Sequence, residues 1–123
     1  MIALDSSAII ELLRGTEKGK KIRQIIENEA VATTTITLNE VLIGVPTRHK
    51  TMIVNFLKTF QILPFDEESG YQSVTIEEHL TAKGKPIGKL DVFIAAICLT
   101  HEIKLITTDK DFKNIDDLEL ILI

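Results

Sequence analysis

The sequence has few of the residues on which special classes of protein depend. Its 123 residues include no Trp, one Tyr, one Cys and three Pro. A single cysteine excludes both an internal disulfide and a zinc site built from thiolates. Cys98 lies in an apolar stretch, where a thiol is usually a small core residue. No apolar run reaches the roughly 18 residues of a membrane span. We therefore expect a soluble globular chain without cysteine chemistry.

Length and charge narrow the class further. A chain of 123 residues is expected to form one domain, residues 1–123, with a single substantial core. Its net charge of −4 argues against a passive coat on nucleic acid, which requires clustered Lys and Arg. The negative net charge does not exclude substrates that contain phosphate, because bound cations can reverse the electrostatic field around a site. Met1 opens directly onto a strand without a charged leader, which together with the lone cysteine predicts a cytoplasmic protein.

The first fourteen residues combine a strand, an acid and a helix. An apolar run ends at Asp5, and Ser6 and Ser7 then lead into a helical pattern of apolar residues at Ala8, Ile9, Leu12 and Leu13. In an open parallel sheet, ligands bind beyond the carboxyl ends of the strands. The pattern therefore predicts a strand-to-helix turn with a carboxylate at the working edge of the fold.

The remainder of the chain alternates strands with helices. Further strands are predicted over 30–34, 61–65, 104–107 and 119–123. Helical signals include a capping box from Thr37 to Glu40, an Asp66 cap with an exit at Gly84, and an almost wholly apolar helix over 90–99. This alternation predicts an α/β fold, a parallel sheet with helices on both faces. If the first and fourth strands are neighbours, the switch point falls between Asp5 and Asp109.

Four acids fall at the starts or ends of these elements. Taken singly, Asp5 is explained as a turn residue, Glu40 as the capping-box glutamate, Asp91 as an N-cap and Asp109 as an Asx turn. Taken together, Asp5 and Asp109 follow strands at one edge, while Glu40 and Asp91 are expected in the first turns of helices that begin there. Four carboxylates in one crevice repel each other and need cations.

The residue types available as metal ligands indicate which cation would bind. His49, His79 and His101 are scattered and no zinc spacing occurs, so hard ions with oxygen ligands, Mg²⁺ or Mn²⁺, fit best. Two such ions roughly 3.5–4 Å apart can activate a water molecule and stabilise the leaving oxygen of a phosphodiester. Hydrolysis would then require no nucleophilic side chain.

The four acidic motifs together resemble a known family. They are Leu4-Asp5-Ser6-Ser7, Thr37-Leu-Asn-Glu40, Pro86-Ile-Gly-Lys-Leu-Asp91 followed by Ile94-Ala-Ala96, and Thr107-Thr-Asp-Lys-Asp-Phe112. In this order and spacing they resemble the PIN domain, in its small VapC-type toxin branch. The resemblance implies a three-layer, Rossmann-like domain with a five-stranded parallel sheet in the order 3-2-1-4-5. It also implies a Mg²⁺-dependent endoribonuclease, a homodimer and a VapB-type antitoxin, with Asp5, Glu40, Asp91 and Asp109 as the metal-binding acids.

Several further positions have more than one interpretation. Asp111 either supports the fourth acid or shares its role. Ser7 and Thr107 match small hydroxyl positions near the metal in the family, where they would orient water or satisfy turn backbone. Arg14 matches a basic residue common after the first helix of this branch, and is equally explained as an exposed cation. The segment Val45-Pro-Thr-Arg48 departs from the expected small residues after Gly44.

Three other functions compete with a toxin nuclease. A receiver-type phosphoacceptor has the same size and fold class, but it requires an acidic pair after the first strand, where this chain has serines. A PIN domain that only binds its partner would be distinguished by the absence of Mg²⁺-dependent RNA cleavage. A PIN nuclease of RNA processing outside any toxin pair would differ in its gene neighbourhood.

Overall fold

The computed structural model describes all residues 1–123 and contains five strands and six helices. The strands are β1 (Ile2–Leu4), β2 (Val31–Thr34), β3 (Gln61–Leu63), β4 (Lys104–Thr107) and β5 (Leu120–Leu122). The helices are α1 (Ser6–Arg14), α2 (Glu17–Ile26), α3 (Thr35–Ile43), α4 (Thr47–Leu57), α5 (Glu67–Lys83) and α6 (Lys89–Thr100). A short 3-10 helix covers Lys110–Asn114.

The strands form one parallel sheet in the order β3-β2-β1-β4-β5. Both the α/β class and the order 3-2-1-4-5 are therefore confirmed. The central strand β1 pairs with β2 on one side and β4 on the other, and Leu4 lies opposite Ile106. Because β1 and β4 are neighbours, the sheet reverses its winding between them, and Asp5 and the residues after Thr107 share one edge.

Helices cover both faces of the sheet, and the strand residues divide between them with a period of two. Ile2 and Leu4 face a cluster that includes α1, α2 and α4, whereas Ala3 between them faces the cluster formed by α5 and α6. Helix α6 is buried almost all round, with Val92 and residues 94–98 all within 1 % exposure. A parallel sheet needs this cover on both faces, because its strands expose no polar side.

Side-chain caps determine where most of the helices begin. Asp5, Thr16, Thr34 and Asp66 each accept a hydrogen bond from a backbone N–H in the first turn of the helix that follows. The predicted Asp66 cap and the Gly84 exit of α5 are both present, with Gly84 in the left-handed conformation at φ 67°. Gly15 ends α1 in the same way.

The predicted capping box at Thr37 is wrong. The N-cap of α3 is Thr34, whose Oγ1 accepts from Thr37 N–H at 3.0 Å, so Thr37 is already the third helical residue. Glu40 therefore lies in the second turn of α3, neither at a capping position nor in the first turn. Since the cap needs an extended residue at the end of β2, the threonine at the strand end was favoured over the one within the helix.

Other boundaries also differ from the prediction. Helix α3 ends at Ile43, so the chain turns before Val45, and Pro46 directly precedes α4. Strand β3 stops at Leu63, because the following Pro64 has no N–H to continue the ladder. No helix combines the length and the apolar character needed to span a membrane.

Candidate active site

Asp5 is held where β1 ends and α1 begins. It is 3 % exposed, and its Oδ1 accepts from Ala8 N–H at 3.0 Å and from Ser7 Oγ at 2.6 Å. Its Oδ2 accepts from Thr107 Oγ1 at 2.5 Å, across from β4. Burial is the largest influence on the pKa of Asp5 and raises it. Hydrogen bonds from Ser7, Thr107 and Ala8 act against burial, and the charge of Asp109 adds to it.

The hydroxyl groups of Ser7 and Thr107 both donate a hydrogen bond to the carboxylate of Asp5. Each hydroxyl has a single proton, so the 3.2 Å contact between Ser7 Oγ and Thr107 Oγ1 joins two oxygens whose protons point elsewhere. Ser7 Oγ also accepts from Thr108 N–H, and Thr107 Oγ1 from Asp109 N–H, each at 3.0 Å. The two hydroxyls therefore satisfy turn backbone and anchor Asp5, and neither retains a proton for a water molecule.

Glu40 approaches the same edge from α3. Its Oε1 accepts from Ser6 Oγ at 3.3 Å, and no other side chain donates to it. Burial is the main cause that raises the pKa of the half-buried Glu40; the Ser6 bond lowers it and the charge of Asp5 raises it. The effect of Asp5 on Glu40 shows that α3 brings this acid to the end of β1. Glu40 therefore lies beside the β1–α1 turn and caps no helix.

Asp91 is the third residue of α6, and Gly88 is the N-cap, so the interpretation of Asp91 as an N-cap is wrong. No hydrogen bond or ion pair reaches its carboxylate. Burial, followed by the charges of Asp109, Glu40, Asp5 and Asp111 in that order, raises the pKa of Asp91 from 3.8 to about 6. All the acids singled out in the sequence therefore act on this one carboxylate.

Asp109 follows β4 and caps the 3-10 helix. Its Oδ1 accepts from Asp111 N–H at 2.9 Å, which is the predicted Asx turn, and this turn coexists with a position at the crevice. The side chain of Asp111 is exposed and accepts no hydrogen bond. Asp111 is therefore tied to Asp109 through its backbone, while its charge still acts on Asp91.

No cation of the chain neutralises these acids. The three ion pairs lie elsewhere, and Lys89, only two residues before Asp91, pairs with Glu77 at 2.6 Å. As they stand, no three Asp, Glu, His or Cys side chains are close enough together to hold one metal ion. The acids thus converge electrostatically on an open crevice without forming a closed ligand cage. Two cavities of about 480 and 400 Å³ lie elsewhere and include none of these acids.

Ser6 is the site residue that sequence reasoning did not single out. The available signal was its position directly after Asp5 in a strand-to-helix turn, since successive helical residues point about 100° apart. Ser7 reaches towards β4, and its neighbour Ser6 must reach towards a different element. Arg14, by contrast, is exposed at the far end of α1 and makes no ion pair.

The chain matches a known family along almost its whole length. The family model described as the PIN domain matches residues 2–118. The chain belongs to the PIN domain family. Ribonuclease VapC1 of Rickettsia felis is 34% identical over 131 aligned positions, which cover 99% of this chain and 96% of the relative. This similarity assigns the PIN domain to the VapC-type branch that the motifs resemble.

Solved structures agree with this fold. VapBC-1 from nontypeable Haemophilus influenzae matches with a TM-score of 0.83 and 26% identity, covering 99% of this chain and 98% of that one. VapBC2 from Rickettsia felis, solved bound to a DNA fragment from its promoter, matches with a TM-score of 0.87, covering 100% and 99%. At 22% identity the second match supports the fold alone. The three-layer PIN architecture expected from the motifs is therefore confirmed.

Proposed function

We propose that this PIN domain is a Mg²⁺- or Mn²⁺-dependent endoribonuclease, the toxin of a type II toxin-antitoxin pair, with residues 1–123 acting as one domain. The observation that carries the proposal is the convergence on Asp91 of acids from three other parts of the chain. Asp5, Glu40 and Asp109 each raise its pKa, and no Lys or Arg offsets them. Such an arrangement is costly for the fold unless divalent ions bind to it.

The donors fit a hard divalent ion. Asp5, Glu40, Asp91 and Asp109 offer only carboxylate oxygens, and the one thiol, Cys98, is fully buried. No three of these side chains are close enough together as they stand to hold one ion, so metal binding would require them to move together. A divalent ion bound there supplies a water of lowered pKa and stabilises the leaving oxygen of an RNA phosphodiester.

The chain's own residues determine the position and the charge of the acids to which the ions would bind. Burial raises the pKa of Asp5, and the hydrogen bonds from Ser7 and Thr107, one to each carboxylate oxygen, act in the opposite direction and hold the side chain in place. Asp91 is ionised above about pH 6 and then supplies negative charge without any hydrogen bond that must first break. Without cations, this field would repel an anionic substrate, so RNA binding should depend on the same ions as cleavage.

The relatives support the substrate and the partner. The Rickettsia felis relative is named a ribonuclease, and the Haemophilus influenzae neighbour is a VapBC assembly. We accordingly propose RNA as the substrate, a VapB-type antitoxin as the partner, and a homodimer as the working form. An RNA substrate and a single unpaired cysteine both favour the cytoplasm.

Cleavage of RNA by the purified chain tests the enzymatic proposal. We expect cleavage with Mg²⁺ or Mn²⁺, none with chelator, and loss of cleavage in Asp91→Asn with the fold retained. Glu17→Gln is the matched control, since it removes an exposed acid on α2. Metal-independent cleavage, or an Asp91→Asn variant as active as the parent, would contradict the mechanism. A chain that binds RNA without cutting it under all conditions would be a scaffold.

Metal binding can be measured without activity. An ion that binds only the folded state, at about 100 times its dissociation constant, adds about 2.7 kcal/mol of stability. We therefore expect Mn²⁺ to raise the Tm of the parent by several degrees and to have a much smaller effect on Asp5→Asn. Equal shifts in the two proteins would remove the physical basis for the site.

Growth and association test the toxin role. Expression of the chain alone should slow growth, and coexpression with the small protein encoded directly upstream should restore it. A well-expressed, harmless chain that still cleaves RNA in vitro would indicate RNA processing outside a toxin pair. Light scattering that gives a monomer at micromolar concentration would contradict the homodimer.

A further inference from the structure

Two serines in the turn between β1 and α1 make hydrogen bonds to elements on opposite sides of that turn. Ser6 and Ser7 are the first two residues of α1, and their side chains leave the helix about 100° apart. Ser7 Oγ donates to Asp5 and accepts from Thr108 on the β4 side. Ser6 Oγ points the other way, to Glu40 Oε1 on α3 at 3.3 Å. The two adjacent serines therefore link the β1–α1 turn to two different elements, Ser7 to the end of β4 and Ser6 to α3.

The contact from Ser6 is the only one that restrains the Glu40 carboxylate. Glu40 has no ion pair and accepts from no other side chain. It lies in the second turn of a helix, so three side-chain torsions separate its carboxylate from the backbone. Asp5, in contrast, accepts three hydrogen bonds on a shorter side chain. Without Ser6, Glu40 would be free to turn away from the crevice, towards solvent and away from the charges of the other acids.

We propose that Ser6 is a positioning residue for Glu40, holding its carboxylate at the crevice so that all four acids face the same ions. The inference rests on the proposed function, because it assigns Ser6 a role at that metal site. A serine is also simply well suited to a helix start, which would explain its presence without any such role. The two explanations differ in whether substitution of Ser6 changes Mn²⁺ affinity only when the Glu40 carboxylate is present.

A double-mutant cycle measured by Mn²⁺ calorimetry on the full chain separates them. We expect Ser6→Ala to weaken Mn²⁺ binding by roughly three- to tenfold, since a hydrogen bond to a charged group is lost, but a long and partly exposed one. In the Glu40→Gln background the same change should have little further effect, because the carboxylate it positions is gone. Ser6→Thr retains the hydroxyl and should bind Mn²⁺ like the parent.

Ser73→Ala is the matched control. It also removes one hydroxyl, here one that donates to Gly70 C=O within α5, and it should leave Mn²⁺ affinity unchanged. Parental affinity in Ser6→Ala, or an equal loss in both backgrounds, would overturn the role of Ser6 while the proposed function stands. A parent that binds no Mn²⁺ would overturn the proposed function, and this inference with it.

Discussion

Asp5 and Asp91 lie at the same crevice but are supported in opposite ways. Asp5 is buried and accepts hydrogen bonds from Ser7, Ala8 and Thr107. Asp91 is half-buried and accepts none, so the charges of the surrounding acids act on it unopposed. The turn after β1 anchors its carboxylate with hydrogen bonds, whereas the start of α6 presents a partly exposed carboxylate to which no group of the protein donates.

This difference separates stability from function within one site. Removing a carboxylate that accepts hydrogen bonds leaves buried donors unsatisfied, which costs free energy in the folded state. Removing a charged carboxylate that is partly buried, repelled by its neighbours and without a hydrogen bond should instead stabilise the folded state. The two aspartates should therefore respond oppositely to substitution in the metal-free protein, although both are needed for the proposed activity.

The largest effect should come from Asp5→Ala. This change removes the N-cap of α1 and leaves the donors of Ser7 and Thr107 without acceptors, so we expect a loss of about 3 kcal/mol. Urea denaturation in chelator measures it, with Asp91→Ala as the matched control at no more than about 1 kcal/mol of change. Equal losses in the two variants would remove the distinction between anchored and unanchored acids.

Thr107→Val tests the anchor from the β4 side. It replaces a buried hydroxyl that donates to a carboxylate with a methyl group, and we expect a loss of about 2 kcal/mol. Thr33→Val is the comparison, because that equally buried hydroxyl donates to the neutral Leu4 C=O at 2.8 Å and should cost about 1 kcal/mol. If chemical denaturation gives Thr33→Val the larger loss, Asp5 is not held as a charged acceptor.

Asp91→Asn should stabilise the metal-free protein in a pH-dependent way. Burial, together with the neighbouring acids, raises the pKa of Asp91 to about 6 in the folded chain against an ordinary 3.8. Above pH 6 the group is therefore charged in both states, and only the folded state bears the cost of burying it and the repulsion. Below about pH 4 it is protonated in both states, and parent and variant should coincide. We expect Asp91→Asn to melt a few degrees higher at about pH 8, with the gap closing as the pH falls.

Thermal melts of both proteins in chelator, from about pH 8 down to pH 4, measure this gap. Asp116→Asn is the control, because Asp116 is an exposed acid whose pKa is lowered by the hydrogen bond from Lys83 and by its charge. A gap that widens towards low pH would show that Asp91 is stabilised in its charged form, contrary to the geometry described above.

Lys89→Met should have the smallest effect. Although Lys89 starts α6 close to Asp91, its Nζ pairs with Glu77 on an exposed surface, and such pairs contribute about 0–1 kcal/mol. We expect the stability to change by less than about 0.5 kcal/mol and the Asp91 titration, followed by NMR, to stay where it is. A clear upward shift of the Asp91 pKa in Lys89→Met would mean that a cation does support the unanchored acid.

Local signals in the sequence determined the classes of element and the residue types of the site. The acid after a short apolar run at Asp5, the cap at Asp66 and the exit at Gly84 depend on a few neighbouring residues, and each was predicted correctly. The alternation of strands and helices was sufficient to predict a covered parallel sheet. The motif order was sufficient to predict the PIN fold, because the acids of that family occur at characteristic spacings.

Only the tertiary structure decided how the acids are held. Thr34 and Thr37 are both credible N-caps in sequence, and the end of β2 selects Thr34, which places Glu40 in the second turn of α3. The roles of Ser6, Ser7 and Thr107 depend on which strand and helix lie beside the β1–α1 turn. Hydroxyl protons go to whichever acceptor the fold brings near, over separations of 34 residues for Ser6 and Glu40 and 102 for Thr107 and Asp5. Such contacts have no local pattern, because packing rather than chain neighbourhood creates them.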